Sequence, residues 1–140
     1  MKKTELEMVG WFKAELRSYY HDAPRIKYLE SKLKQLNNRF EAHSPNLSGM
    51  PGGSVTSHDE KLAEWIEEKE AYEKELRLIL QKRSMVEYIL NRIEPEYVEP
   101  MRMIYSGKQN IAFYAYRAHR SVRGYKHHIN MAILRALTKG

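Results

Sequence analysis

The chain has 140 residues, of which 42% are hydrophobic and none is cysteine, so it is long enough for one domain, or for a small domain with a helical arm. The lack of cysteine excludes disulfides and thiolate chemistry. No run approaches about 18 apolar residues and none follows the lysines of the N-terminus, so neither a transmembrane helix nor a secretory signal is expected.

Charge is distributed unevenly along a chain whose formal net charge is +6. Residues 1–44 carry nine Lys/Arg and six Asp/Glu, whereas residues 45–100 carry seven and twelve. Residues 101–140 carry eight Lys/Arg and no acidic residue, because Glu99 is the last acid in the chain. Cations that have no carboxylate partner within their own segment indicate a surface for phosphate, either in nucleic acid or on an anionic membrane. The small, alanine-containing apolar face of the last predicted helix disfavours the membrane.

The first part of the chain predicts two helices. Helical spacing of apolar residues predicts one over about residues 4–20, and Pro24 starts the next, because proline is tolerated in a first helical turn. The apolar residues of the second helix step by three and four, as in a coiled-coil seam; they are Ile26, Leu29, Leu33, Leu36 and Phe40.

Residues 43–56 are rich in Pro, Gly and Ser and predict a loop. A long third helix is predicted over residues 57–93, with a heptad-like stripe that includes Trp65 and Ile66. An antiparallel hairpin would bury both seams, so we expect a coiled-coil-like arm over residues 1–94. Parallel pairing with a second chain, which would make the arm a homodimer interface, is the competing solution.

Residues 95–140 predict a helix-turn-helix DNA-binding domain. A short helix ends at Gly107, which suits a left-handed C-terminal cap. Asn110 is a good N-cap for a helix over residues 111–117, and residues 118–120 form the turn. Ser121 caps the last helix, over residues 122–137. The predicted fold class is therefore all-α: a long helical hairpin followed by a C-terminal helix-turn-helix.

The last helix predicts one apolar and one polar face. The face expected to pack inward consists of Val122, Tyr125, Ile129, Ala132, Ile133 and Ala136. The other face carries the candidate base contacts, since their side chains can bond base edges in a major groove; they are Arg123, Lys126, His127 and Asn130. Candidate phosphate contacts are Lys108, Arg117, Arg120 and Arg135, and Ser121 completes the predicted DNA-binding set.

The histidines and tyrosines of this region could have two other roles. A metal site at His119, His127 and His128 is disfavoured, because adjacent helical residues point about 100° apart and the surrounding cations oppose a divalent ion. Four tyrosines could stack on single-stranded bases, although their helical spacing favours core packing; they are Tyr105, Tyr114, Tyr116 and Tyr125. Tyr114 and Tyr116 cannot share a helix face, so at least one of them should be exposed.

The segment from Ile104 to Leu137 resembles region 4 of sigma factors. Ser121 stands where that family caps its recognition helix, and Tyr125, Ile129 and Ala132 follow at the family's spacing of four, eight and eleven residues. The chain departs from the pattern in the turn, where His119 replaces a glycine and Arg120 replaces a hydrophobic residue.

The whole chain is similar to phage late-gene regulators of the ArpU/RinA kind. The most specific feature of this resemblance is the sequence SPNLSGMPGG at residues 44–53. The resemblance implies a transcriptional activator of phage or prophage genes in the cytoplasm of a bacterial host. Its partners would be double-stranded DNA and, as a candidate, RNA polymerase.

Two alternative functions stay open at this point. One is a small terminase-like DNA-packaging subunit, which also joins a helix-turn-helix to a coiled-coil region. The other is a helical interaction protein whose basic end binds RNA or an acidic partner. No enzyme activity, cofactor or metal is expected, because the sequence offers no nucleophile–base pair and the loop at residues 44–53 lacks the GK[ST] of a P-loop.

Overall fold

The computed structural model describes residues 1–42 and 55–139, and the side chains of residues 55–59 are outside that description. These residues form α-helices without a strand, which confirms the all-α prediction. The helices are α1 (Lys3–His21), α2 (Ala23–Ala42), α3 (Val55–Leu90), α4 (Pro95–Tyr105), α5 (Ile111–Arg117) and α6 (Val122–Thr138). The predicted loop at 43–56 falls mainly on residues 43–54, which lie outside the described residues, whereas residues 55 and 56 already belong to α3.

The described residues form two compact units. The middle unit is Pro24–Leu80, and the terminal unit combines Met1–Ala23 with Gln81–Gly140. This division differs from the predicted boundary at residue 94, since α1 and the last part of α3 belong with the C-terminal helices. Because α1 is far from these helices in sequence, local patterns gave no sign of their contact.

In the middle unit, α2 and α3 run in opposite directions. The Arg25 guanidinium forms an ion pair with Glu75 at 2.7 Å, and the rings of Phe40 and Trp65 meet edge to face with centroids 6.1 Å apart. Residue numbers thus rise along α2 while those of the contacting residues fall along α3. Ion pairing and aromatic contacts of this kind add specificity of register to the apolar seam.

The predicted seam of α2 is buried. Leu29 and Leu36 are inaccessible to solvent at its centre, and the other three seam residues are partly buried. On α3 the predicted stripe is confirmed less fully, because Ile66 is 46% exposed. The heptad-like spacing of apolar residues on α3 therefore predicts more burial than the structure shows.

The terminal unit has its core between α1, α4 and α6. Helix α1 buries Val9, Phe12 and Leu16, whose spacing of three and four places them on one face. Helix α6 contributes the largest group of buried side chains, namely Tyr125, Ile129, Ala132, Ile133, Leu134 and Ala136. The remaining core residues come from α3, the residues after it, α4 and α5; they are Val86, Ile89, Ile93, Met101, Tyr105 and Ala115.

Polar contacts fasten the end of α1 to α3 within this unit. The Tyr19 hydroxyl donates to a carboxylate oxygen of Glu87 at 3.0 Å. The Arg83 guanidinium donates to the backbone carbonyl of Tyr19 at 2.6 Å and lies over its ring, 4.2 Å from the centroid. A guanidinium over an aromatic face adds cation–π attraction to the hydrogen bond.

The ends of α4 and α5 share one backbone geometry. After α4, Gly107 has a φ of +81°, its N–H donates to the carbonyl of Ile104, and the next N–H donates to that of Met103. This is a Schellman motif, in which a left-handed residue closes the helix. After α5 the same pair of bonds runs from His119 and Arg120 back to the helix, and His119 takes the left-handed position with a φ of +55°.

We expect replacement of His119 by glycine to stabilise the protein. A side chain in the left-handed region costs about 1–2 kcal/mol, and glycine loses about 0.5–1 kcal/mol in backbone entropy, so the free energy of unfolding should rise by roughly 0.5–1 kcal/mol. Urea unfolding followed by circular dichroism measures it. The matched control is Ala118→Gly, at a φ of −87°, which should be destabilising. Equal effects of the two substitutions would show that the turn is not strained.

Because α1 packs into the core of the terminal unit, we expect its buried face to contribute strongly to stability. Phe12 is fully buried whereas its neighbour Trp11 is 45% exposed, so Phe12→Ala should lower the free energy of unfolding by about 3–5 kcal/mol and Trp11→Ala by much less. The measurement is urea unfolding of both variants. A small effect of Phe12→Ala would contradict the assignment of α1 to the core of the terminal unit.

Candidate nucleic-acid interface

The first turns of α6 present a cationic face that is held in place from behind. Arg123, Lys126 and His127 are exposed, and they lie within about one and a half turns of the helix. Tyr125 and Ile129 on the opposite face are buried in the core of the terminal unit. The predicted arrangement of exposed polar side chains over apolar anchors is therefore present at these five positions.

Two residues of α6 lie differently from the prediction. Val122, which we expected to face the core, is 45% exposed, because it is the first residue of the helix and extends past the packed part. Asn130, a predicted base contact, is partly buried, and its side-chain oxygen has no hydrogen-bond partner. Because its side chain is less accessible than those of Arg123, Lys126 and His127, Asn130 is a weaker candidate for base contact than these three residues.

Arg135, a predicted phosphate contact, is occupied within the terminal unit. Its Nε donates to a carboxylate oxygen of Glu94 at 2.8 Å. It follows Lys126 by nine residues, which at about 100° per residue places the two side chains on opposite sides of α6. Arg135 therefore does not join the cationic face of the first turns.

The turn before α6 holds Arg120 against the helix. The Arg120 guanidinium donates to Nε2 of His128 at 2.7 Å, so that nitrogen is the unprotonated one in this contact. Earlier in the chain, the Arg117 guanidinium lies over the Phe113 ring, 5.4 Å from its centroid, and Lys108 is exposed between α4 and α5. Their role as phosphate contacts stays a prediction.

The tyrosines divide between core and surface. Tyr105 and Tyr125 are buried, Tyr114 is partly buried, and Tyr116 is 83% exposed. The prediction that Tyr114 and Tyr116 cannot both be covered is thus confirmed. Burial raises the pKa of the Tyr105 phenol to about 12, so this group stays neutral at ordinary pH.

One cation near this face was missed from the sequence. Lys13 of α1, a helix that packs against α6, is partly buried and is repelled by Lys126 of α6 and by Arg17 of its own helix. Burial, followed by repulsion from Lys126 and then from Arg17, lowers the pKa of Lys13 to about 8. The sequence signal was weak: Lys13 directly follows the core residue Phe12, but nothing local indicated that α6 lies beside it.

Within residues 1–42 and 60–139, no group of three or more His, Asp or Glu side chains is placed to hold a metal ion. Among the same residues, none of the helices combines the length and the apolar character needed to cross a membrane.

The hydroxyl of Ser121 fixes the start of the cationic helix. It accepts a hydrogen bond from the backbone N–H of Gly124 at 3.0 Å, as predicted for an N-cap. Ser121→Ala should therefore lower the free energy of unfolding by about 1 kcal/mol, whereas Ser121→Asp should retain most of it. Ser84→Ala, at an exposed site inside α3, is the control and should be close to neutral. Urea unfolding that leaves Ser121→Ala as stable as the unmodified chain would contradict the capping role.

Comparisons with known proteins gave no match. No family model matches the chain, and neither the curated proteins nor the solved structures contain a significant relative. The case for a function therefore comes from the residues and geometry of this chain.

Proposed function

We propose that the chain is a sequence-specific DNA-binding transcriptional regulator, with α5 and α6 acting as a helix-turn-helix. One observation carries the proposal: a four-residue connection, residues 118–121, joins the two helices, and the second begins with an exposed face of Arg123, Lys126 and His127. This is the part of a recognition helix that enters a major groove.

The electrostatics of α6 support a polyanionic partner. No acid follows Glu99, and within the described residues neither Arg123 nor Lys126 forms an ion pair. Duplex DNA carries one negative charge per about 1.7 Å of its axis, so it compensates such a face. In this arrangement Arg123 can bond a guanine edge through both terminal nitrogens, while Lys126 and His127 donate to neighbouring acceptors.

Residues outside the recognition helix would set the register on DNA. Arg117 and Arg120, at the end of α5 and in the turn, are placed by sequence next to the capping residue Ser121, and they are the proposed phosphate contacts together with Lys108. In the proposal, α2 and α3 form a hairpin arm that offers a homodimer interface. Activation of phage or prophage late genes, with RNA polymerase as partner in the cytoplasm of a bacterial host, follows from the resemblance to phage regulators alone.

Reversing the two exposed cations of α6 should abolish DNA binding. For Arg123→Glu with Lys126→Glu, we expect the affinity for duplex DNA to fall by at least roughly 100-fold while helicity stays unchanged. The matched control is Lys74→Glu with Arg77→Glu, an exposed pair with the same spacing on α3, which should bind nearly as well as the unmodified chain. Fluorescence anisotropy with a labelled duplex measures both, and equal losses would sink the assignment.

Selection of bound fragments from the genome that encodes the chain tests the biological role. Enrichment upstream of late genes supports activation, and enrichment at a packaging start supports a terminase-like subunit instead. Binding without preference for any duplex sequence, or preference for RNA, would replace the proposal with a general helical interaction protein.

A further inference from the structure

We propose that Lys13 and Arg17 of α1 form, with Lys126 of α6, a second phosphate-binding patch beside the recognition helix. This inference rests on the proposed DNA-binding function, since its ligand is a backbone phosphate of the same duplex. It adds α1 to an interface that the sequence assigned wholly to residues 108–135.

The packing of the terminal unit brings these three cations together. Phe12 and Tyr125 are core residues, and Lys13 and Lys126 directly follow them on helices that pack against each other. Arg17 lies one turn beyond Lys13 on α1, with its guanidinium over the ring of Tyr105 of α4, 5.3 Å from the centroid. Three helices thus fix the positions of the cations, so they do not depend on flexible loops.

The ion pairs of the described residues leave this charge without a carboxylate partner. Within the described part of the chain, none of the four ion pairs involves Lys13, Arg17 or Lys126. The charged groups that lower the pKa of Lys13 are Lys126 of α6 and Arg17 of α1, and both are positive. The Tyr105 phenol, whose ring lies under the Arg17 guanidinium, is neutral because burial raises its pKa to about 12. A partly buried ammonium that is repelled by two other cations is unfavourable unless an anion joins them.

The pKa of Lys13, lowered to about 8, gives the patch a signature. A bound phosphate stabilises the charged ammonium and raises this pKa, so binding above about pH 8 takes up a proton. The sign follows: affinity is highest below that pH, where Lys13 is already charged, and falls as the pH rises through it. A phosphate contact made by an ordinary exposed lysine would show no such dependence between pH 7 and 9.

Three variants of α1 separate charge from structure. Lys13→Met removes the charge and keeps an apolar chain, Lys13→Arg keeps the charge at every pH used, and Lys3→Gln removes an exposed charge from the start of the same helix. Lys13→Met deletes an unfavourable buried charge, so it is expected to fold and to be at least as stable as the unmodified chain. Circular dichroism and urea unfolding check this.

The experiment measures binding of the full chain to a mixed-sequence duplex of about 30 base pairs, as a function of salt and pH. Lys13→Met should reduce the salt slope of log affinity by about 0.9 and lower the affinity at pH 7 roughly fivefold or more. Between pH 7 and 9 the affinity of the unmodified chain should fall roughly threefold or more. Lys13→Arg should restore the affinity and abolish that fall.

Calorimetry at pH 8.5 in two buffers of different ionisation enthalpy counts the protons directly. The unmodified chain and Lys3→Gln should take up roughly 0.4 proton more than Lys13→Met or Lys13→Arg. If the unmodified chain binds the duplex but Lys13→Met matches Lys3→Gln in salt slope and proton uptake, the α1 patch is overturned and the proposed function stands. If the unmodified chain binds no duplex at all, the proposed function fails and the patch fails with it.

Discussion

The burial of one side of α6 against α1 determines where the charges of the terminal unit can lie. Ile129 and Ile133 are fully covered at the centre of α6, and Phe12 and Leu16 are covered on α1. A helix pinned along one side has only its remaining surface for polar residues, and its first turns carry Arg123, Lys126 and His127 there. Rotation of α6 by one residue would bury a cation, at a cost of several kcal/mol, so the core fixes which side chains reach solvent.

Because no acidic residue follows Glu99, the cations of residues 101–140 can form ion pairs only with acids from earlier in the chain. Within the described residues, the C-terminal cations that form ion pairs take their partners from just before the segment: Arg102 pairs with Glu99 and Arg135 with Glu94. Neither pair involves a residue of the first turns of α6. Exposed pairs contribute little to stability, about 0–1 kcal/mol, but each occupies one cation, and within the described residues Arg123 and Lys126 form no such pair.

Local features of the fold were predictable from the sequence, whereas long-range ones were not. The bounds of α5 and the caps Asn110 and Ser121 follow from short-range rules on side-chain hydrogen bonds, and the structure agrees with them. Three long-range features could not be predicted, because each involves residues that are 41 or more positions apart. They are the packing of α1 in the terminal unit, the ion pair of Arg135 with Glu94 and the electrostatic interaction of Lys13 with Lys126. Helical periodicity identifies a face to bury but does not identify its partner.

The turn between α5 and α6 shows why a departure from a family pattern need not change the geometry. The resemblance to sigma region 4 expects a glycine where this chain has His119, yet the backbone closes α5 with the same Schellman bonds that follow α4 at Gly107. The strain of a histidine at a φ of +55° is small compared with the burial of Ala115 and Tyr125 on the two sides of the turn. Packing can therefore hold the turn without its glycine. With Arg120 bonded to His128, the turn is tied to α6, and any phosphate contact of Arg120 would be made in register with the cations of that helix.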